Sequence, residues 1–127
     1  MTIDHVGILV PRAQYKELLD FYVAALGPLG YKLQTEPVPG VAGLGKDHAD
    51  WWITATDSPN VGIIHIAFGT MDREDVRKFH AAALAAGAKD NGAPGIRAHY
   101  HPAYYGAFVT DPVGNNLEVV CHCPDSK

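Results

Sequence analysis

The feature that most constrains this chain is a repeat of itself. His5-Val6-Gly7-Ile8 recurs as His65-Ile66-Ala67-Phe68, Phe21 and Leu26 as Phe79 and Leu84, and Gly30-Tyr31-Lys32 as Gly87-Ala88-Lys89. The offset shrinks slowly along the chain, as small deletions would produce. With 127 residues the chain is too short for two ordinary free-standing domains, so the copies are expected as modules of one domain, 1–58 and 59–127. Equivalent residues of two such modules face each other across an axis, which makes His5 and His65 candidates to meet.

Each module spells the same order of elements. Residues 3–10 alternate as a strand closed by Pro11, with Ile3, His5, Gly7 and Leu9 on one face and Val6, Ile8 and Val10 on the other. Tyr15, Leu18, Leu19, Tyr22, Ala25 and Leu26 recur at helical spacing, predicting a helix over 12–26 that Gly27-Pro28 ends. Residues 31–35 read as a strand broken by Pro37, Pro39 and Gly40, residues 41–45 as a short glycine-rich strand or loop, and 51–56 as an aromatic and β-branched strand. The pattern then restarts with a strand over 62–68 and a helix capped by Asp72 and ended by Gly87. Residues 89–91 read as a weak strand or turn and 92–102 as a loop. A hairpin follows, two apolar runs joined by Asp111-Pro112-Val113-Gly114-Asn115. Both modules therefore read β-α-β-β-β.

One residue breaks the hairpin's pattern. Glu118 lies between Leu117 and Val119-Val120, where a strand should be buried, and an unpaired buried charge costs several kcal/mol. It needs a cation or hydrogen-bond donors. Two strand histidines, His5 and His65, are the candidate partners, either around a metal ion or as a hydrogen-bonded pair without one.

Composition narrows the partners. A formal charge of -4, with no Lys/Arg cluster interleaved with aromatics, argues against nucleic acid. The apolar runs fall far short of the ~20 residues that cross a bilayer, and no leader pattern opens the chain, so a cytosolic protein is expected. The cysteines, Cys121 and Cys123, are one residue apart, a spacing that builds no disulfide framework and is read as two free thiols on the face opposite Glu118. Gly40-Val41-Ala42-Gly43-Leu44-Gly45-Lys46 lacks the Ser/Thr ending and following helix of a phosphate loop.

With these residues in view, the chain resembles the vicinal oxygen chelate superfamily, the glyoxalase, bleomycin-resistance and extradiol-dioxygenase group. The markers are the paired modules, His5, His65, and Asp111-Pro112-x-Gly114-Asn115-x-x-Glu118. The resemblance implies an α+β domain whose two βαβββ modules form an open eight-stranded barrel-like cleft. It implies a divalent metal held by His5, His65 and Glu118, of the Fe²⁺, Mn²⁺, Ni²⁺ or Zn²⁺ kind. A fourth position, which in that group belongs to the last strand of module one, falls here on Trp51-Trp52-Ile53-Thr54, with no carboxylate or imidazole. That departs from glyoxalase I and is similar to the His-His-Glu sets of dioxygenases and thiol transferases. The resemblance further implies a small-molecule substrate and a homodimer. Its other branch is a metal-free protein that sequesters an aromatic, drug-like ligand.

Around these ligands, His99, Tyr100, His101, Tyr104 and Tyr105 form a second constellation. His101 and Tyr105 are candidate acid-base groups beside Glu118, and Tyr104 and Arg97 are candidate substrate contacts. Trp51 and Trp52 point to opposite faces, so one is expected to wall a pocket and the other to enter the core. His80, on the helix stripe, reads as a partly buried core histidine.

Overall fold

The computed structural model describes residues 3–124. They form two compact units, one ending at Gly62 and the other beginning at Ile63. The first unit contains β1 (Val6–Pro11), α1 (Tyr15–Leu26), β2 (Lys32–Val38), β3 (Val41–Gly45) and β4 (Trp51–Thr56), with single 3-10 turns on either side of α1. The second contains β5 (His65–Thr70), α2 (Arg73–Ala85), β6 (Lys89–Ile96), β7 (Tyr105–Thr110) and β8 (Asn116–Cys121). The sheets run β1-β4-β3-β2 and β5-β8-β7-β6, so the repeat read from the sequence is a repeat of topology. This is an α+β architecture of eight strands and two helices.

In each unit one sheet face is covered by the helix. Val10 and Ile8 of β1, Trp51 and Ile53 of β4 and Leu44 of β3 are buried with Leu18, Phe21, Tyr22 and Leu26 of α1. Gly7 and Leu9, on the alternate face of β1, are exposed, as period-two alternation requires. In the second unit Val76, Phe79 and Ala83 of α2 are buried, as are Ala107 and Val109 of β7 and Leu117, Val119 and Cys121 of β8. Burying side chains of this size contributes about 1.5–3 kcal/mol each, the main force holding helix to sheet.

The punctuation is legible in local chemistry. Asp72 accepts a hydrogen bond from the Glu74 N–H at 2.9 Å and opens α2, while Gly87, at φ 110°, ends it in a conformation that favours glycine. Two strands outrun their expected lengths. β2 continues through Pro37 to Val38, and β6 runs to Ile96 through Gly92, Pro94 and Gly95. Both lie at sheet edges and both carry register shifts against their neighbours. At an edge a proline forfeits no ladder bond, and a bulge absorbs an irregular residue. Conversely β1 starts at Val6, leaving His5 just before the strand, because parallel pairing with β4 begins at Val6 opposite Trp51.

Candidate functional site

The second unit builds its site on the sheet face turned away from α2. β8 places Glu118 there, opposite Phe108 of the antiparallel β7 and beside Ala67 of the parallel β5. The hairpin turn holds β8 in register. The Asp111 carboxylate accepts from the Asn115 N–H (2.8 Å), the Asn115 side-chain amide (2.9 Å) and the Val113 N–H (3.0 Å), with Gly114 at φ 103°. Asn115 in turn accepts from the Ile64 N–H at 2.9 Å, tying the turn to the start of β5. Asp-Pro-x-Gly-Asn is thus the clamp that sets Glu118 next to His65.

Glu118 is 2% exposed, and both of its carboxylate oxygens have neighbours. Oε2 accepts a hydrogen bond from the Tyr104 hydroxyl. Oε1 lies 3.2 Å from Nε2 of His65. The other ring nitrogen, Nδ1, is 3.0 Å from the carbonyl oxygen of Asn116. A carbonyl only accepts, so Nδ1 carries a hydrogen, and in the neutral form of the ring Nε2 would turn a lone pair toward the carboxylate. Two lone pairs at that separation repel. The pair is complete only with a proton or a cation between them, and a backbone carbonyl that fixes the far nitrogen is the usual way a ligating histidine is oriented.

Tyr104 cannot supply a second proton there, because burial, and then the Glu118 carboxylate, push its hydroxyl well above the ordinary tyrosine range. Its ring joins an aromatic wall. Tyr100 lies 4.7 Å away by ring centroids, His101 5.4 Å and His122 5.2 Å. His101 Nε2 and His122 Nδ1 are 2.8 Å apart, one donating and one accepting. Phe108 stacks on His65 at 6.3 Å. His65 itself remains half-exposed, with 49% of its side chain open, so a small molecule can reach Nε2.

The first unit holds His5 beside Trp52, ring centroids 6.4 Å apart. The His5 side chain is 60% exposed, and its Nδ1 lies 2.7 Å from Asp4, whose carboxyl that hydrogen bond holds below its usual range. Asp50, just ahead of β4, accepts from the Tyr31 hydroxyl at 2.9 Å, and burial together with that bond raises the Tyr31 pKa.

Two of the residues singled out from sequence lie elsewhere. Trp51 is 0% exposed and lies against Tyr22 of α1 at 5.2 Å, so of the two tryptophans it is the one the core takes, and it lines no binding surface. Tyr105 points to the α2 side of its sheet. Its hydroxyl accepts from Arg77 at 3.0 Å and the Arg73 guanidinium lies 4.9 Å over its ring, so it is not an acid-base partner of Glu118. The correction follows from alternation along β7, which puts Tyr105 on the same face as the buried Ala107 and Val109 and away from Glu118. Arg97, just past β6, donates to the carbonyls of Gly95 (2.9 Å) and Ala93 (2.8 Å) and lies over the Phe108 ring at 5.4 Å, at the margin of the site. His80 pairs with Asp90 at 2.9 Å. Among the described residues, no three His, Cys, Asp or Glu side chains are gathered in a metal-holding group.

Sequence reasoning missed Asn116, whose backbone sets the His65 tautomer, and Phe108, whose ring backs it. The hairpin register gives the signal for Phe108, opposite Glu118. Asn116 carries none, because a main-chain carbonyl looks the same in every residue.

The fold and this site define a class, and comparison with known proteins gives it a name. Residues 2–119 match the model of the Glyoxalase/Bleomycin resistance protein/Dioxygenase superfamily, and the chain belongs to that superfamily. Among solved structures it is similar to a glyoxalase/bleomycin resistance protein from Albidiferax ferrireducens T118, at 23% identity and a TM-score of 0.78 over 93% of this chain and 97% of that one. A glyoxalase/bleomycin resistance protein/dioxygenase family enzyme from Burkholderia phytofirmans PsJN aligns at 22% identity and a TM-score of 0.73, over 97% and 100% of the two chains. A glyoxalase I mutant from Zea mays aligns at 24% identity and 0.67, over 91% of this chain and 46% of that one. At these identities the likeness concerns the fold. No curated protein matches the chain. No helix among the described residues is long and apolar enough to cross a membrane.

Proposed function

We propose that the protein is a metal-dependent enzyme of the glyoxalase group acting on a small oxygenated organic compound. One observation carries the reading: Nε2 of His65 faces a buried carboxylate at 3.2 Å, an arrangement that a divalent cation between them would complete. His65 and Glu118 would hold the ion, and His5, the counterpart of His65 in the first repeat, is the third ligand that the family's pattern calls for. Two imidazoles and one carboxylate suit Fe²⁺, Mn²⁺, Ni²⁺ or Zn²⁺ with coordination positions left open. When bound, such an ion supplies Lewis acidity to substrate oxygens. The chain's own residues do the rest. Tyr104 orients Glu118 through its hydroxyl, the His101–His122 pair packs against the Tyr104 ring, and Tyr104 and Phe108 offer flat surfaces to an organic substrate. A cytosolic homodimer is part of this reading.

The test is metal uptake by protein first stripped with chelator and then titrated with each of the four ions. Uptake of one ion per chain, lost in Glu118→Gln and in His65→Ala, is the expected result. No uptake of any of them refutes the proposal.

A second reading, a metal-free protein that sequesters an aromatic ligand, draws on the ring cluster of Tyr100, Tyr104, His101 and His122. There a proton, not a metal, would sit between His65 and Glu118. It predicts that a planar aromatic ligand binds equally well to wild type and His5→Ala, with no metal present.

A further inference from the structure

The other end of β8 holds a different chemistry, which the proposed function does not use. Strands β5 and β8 run parallel in register, Thr70 beside Cys121, so the residues that follow the two strand ends emerge side by side. Met71 follows β5, and Cys123 follows β8. The Cys123 Sγ lies 3.9 Å from the Met71 Sδ. The Cys121 Sγ accepts a hydrogen bond from the Cys123 N–H at 3.4 Å, which folds the Cys-x-Cys bend so that its two sulfurs turn toward each other. Arg73 fastens the bend by donating to the Cys123 carbonyl at 3.1 Å. Both thiols are free.

We propose that Cys121, Cys123 and Met71 form a binding site for Cu(I). Two thiols and a thioether are a soft donor set, which selects a soft monovalent ion over the harder divalent ones. The spacing fits. With metal–sulfur bonds of about 2.3 Å, two sulfurs of a trigonal site stand about 4.0 Å apart, against 3.9 Å here between Cys123 and Met71. Met71 is 80% exposed, so the site opens to solvent from the thioether side.

The experiment is a competition, under anaerobic and reducing conditions, between the full chain and a colorimetric Cu(I) chelator. Wild type is expected to withhold one Cu(I) per chain, with sulfur as the only near neighbour in copper-edge X-ray absorption. Loss of a ligand should exceed the ~10–100-fold cost of losing a mere supporting residue, so Cys123→Ser should weaken retention at least about a hundredfold. Met71→Leu, at an exposed position, should also weaken it beyond that supporting-residue cost, without disturbing the fold. His65→Ala should hold copper as wild type does, which separates this site from the one proposed above. Copper surrendered to the chelator by wild type, retained equally by Cys123→Ser, or seen with nitrogen neighbours overturns the assignment.

Discussion

Tyr104→Phe isolates what holds Glu118 in place. The substitution deletes one oxygen from a side chain whose ring packs against Tyr100, His101 and His122 and leaves those contacts intact. What disappears is the donor to Oε2 of a carboxylate that is 2% exposed. A hydrogen bond to a charged group contributes about 1.5–3 kcal/mol, and one between neutral groups about 0.5–1.5. Because Tyr104 is only half-buried, water can partly replace its hydroxyl, and the lower end of the first range applies, about 1.5 kcal/mol. In a Glu118→Gln background the same deletion should cost about 0.5 kcal/mol, leaving a coupling of about 1 kcal/mol in the double-mutant cycle. Urea unfolding followed by tryptophan fluorescence at neutral pH reads this out. With a slope of about 1–3 kcal/mol per molar, the wild-type midpoint should fall by on the order of 1 M. Equal losses in the two backgrounds, within about 0.3 kcal/mol, would refute the claim that Tyr104 acts on the Glu118 charge.

Two further outcomes follow from other parts of the chain. The Tyr15 hydroxyl donates to Glu36 at 2.7 Å, and burial together with that carboxylate pushes its pKa up to about 12. A pKa raised on folding stabilises fully below the unfolded value near 10 and ceases to do so as pH climbs through 12, so Tyr15→Phe should flatten the alkaline fall in thermal midpoint over that window. At Gly45, an added Cβ would stand 1.7 Å from the carbonyl oxygen of His48, a backbone atom that cannot swing aside. Gly45→Ala should therefore cost about 3 kcal/mol or more in urea melts, whereas Gly62→Ala, with open space around it, should cost little.

Much of the architecture was legible before any coordinate. The recurrence of His-Val-Gly-Ile as His-Ile-Ala-Phe announced two modules, and the face assignment of β1 followed from alternation alone, since a strand's side chains have no third direction. The buried position of Glu118 was equally plain from its apolar neighbours. Edge strands were harder. β6 looked like a loop because Gly92, Pro94 and Gly95 are poor strand residues, and only its place at the sheet margin lets them pair.

The sequence by itself determined the repeat, the cap of α2 and the hairpin turn, because each rests on short-range periodicity or on a single residue's backbone preference. Tertiary structure alone decided which residues touch. It sent Trp51 inward and Tyr105 to the helix side, brought the Tyr104 hydroxyl to Glu118, let the Asn116 carbonyl choose the His65 tautomer, and set Met71 beside Cys123 across 52 positions of chain. Those contacts depend on strand register, and register is fixed by the burial of a whole face at once rather than by any one residue in it.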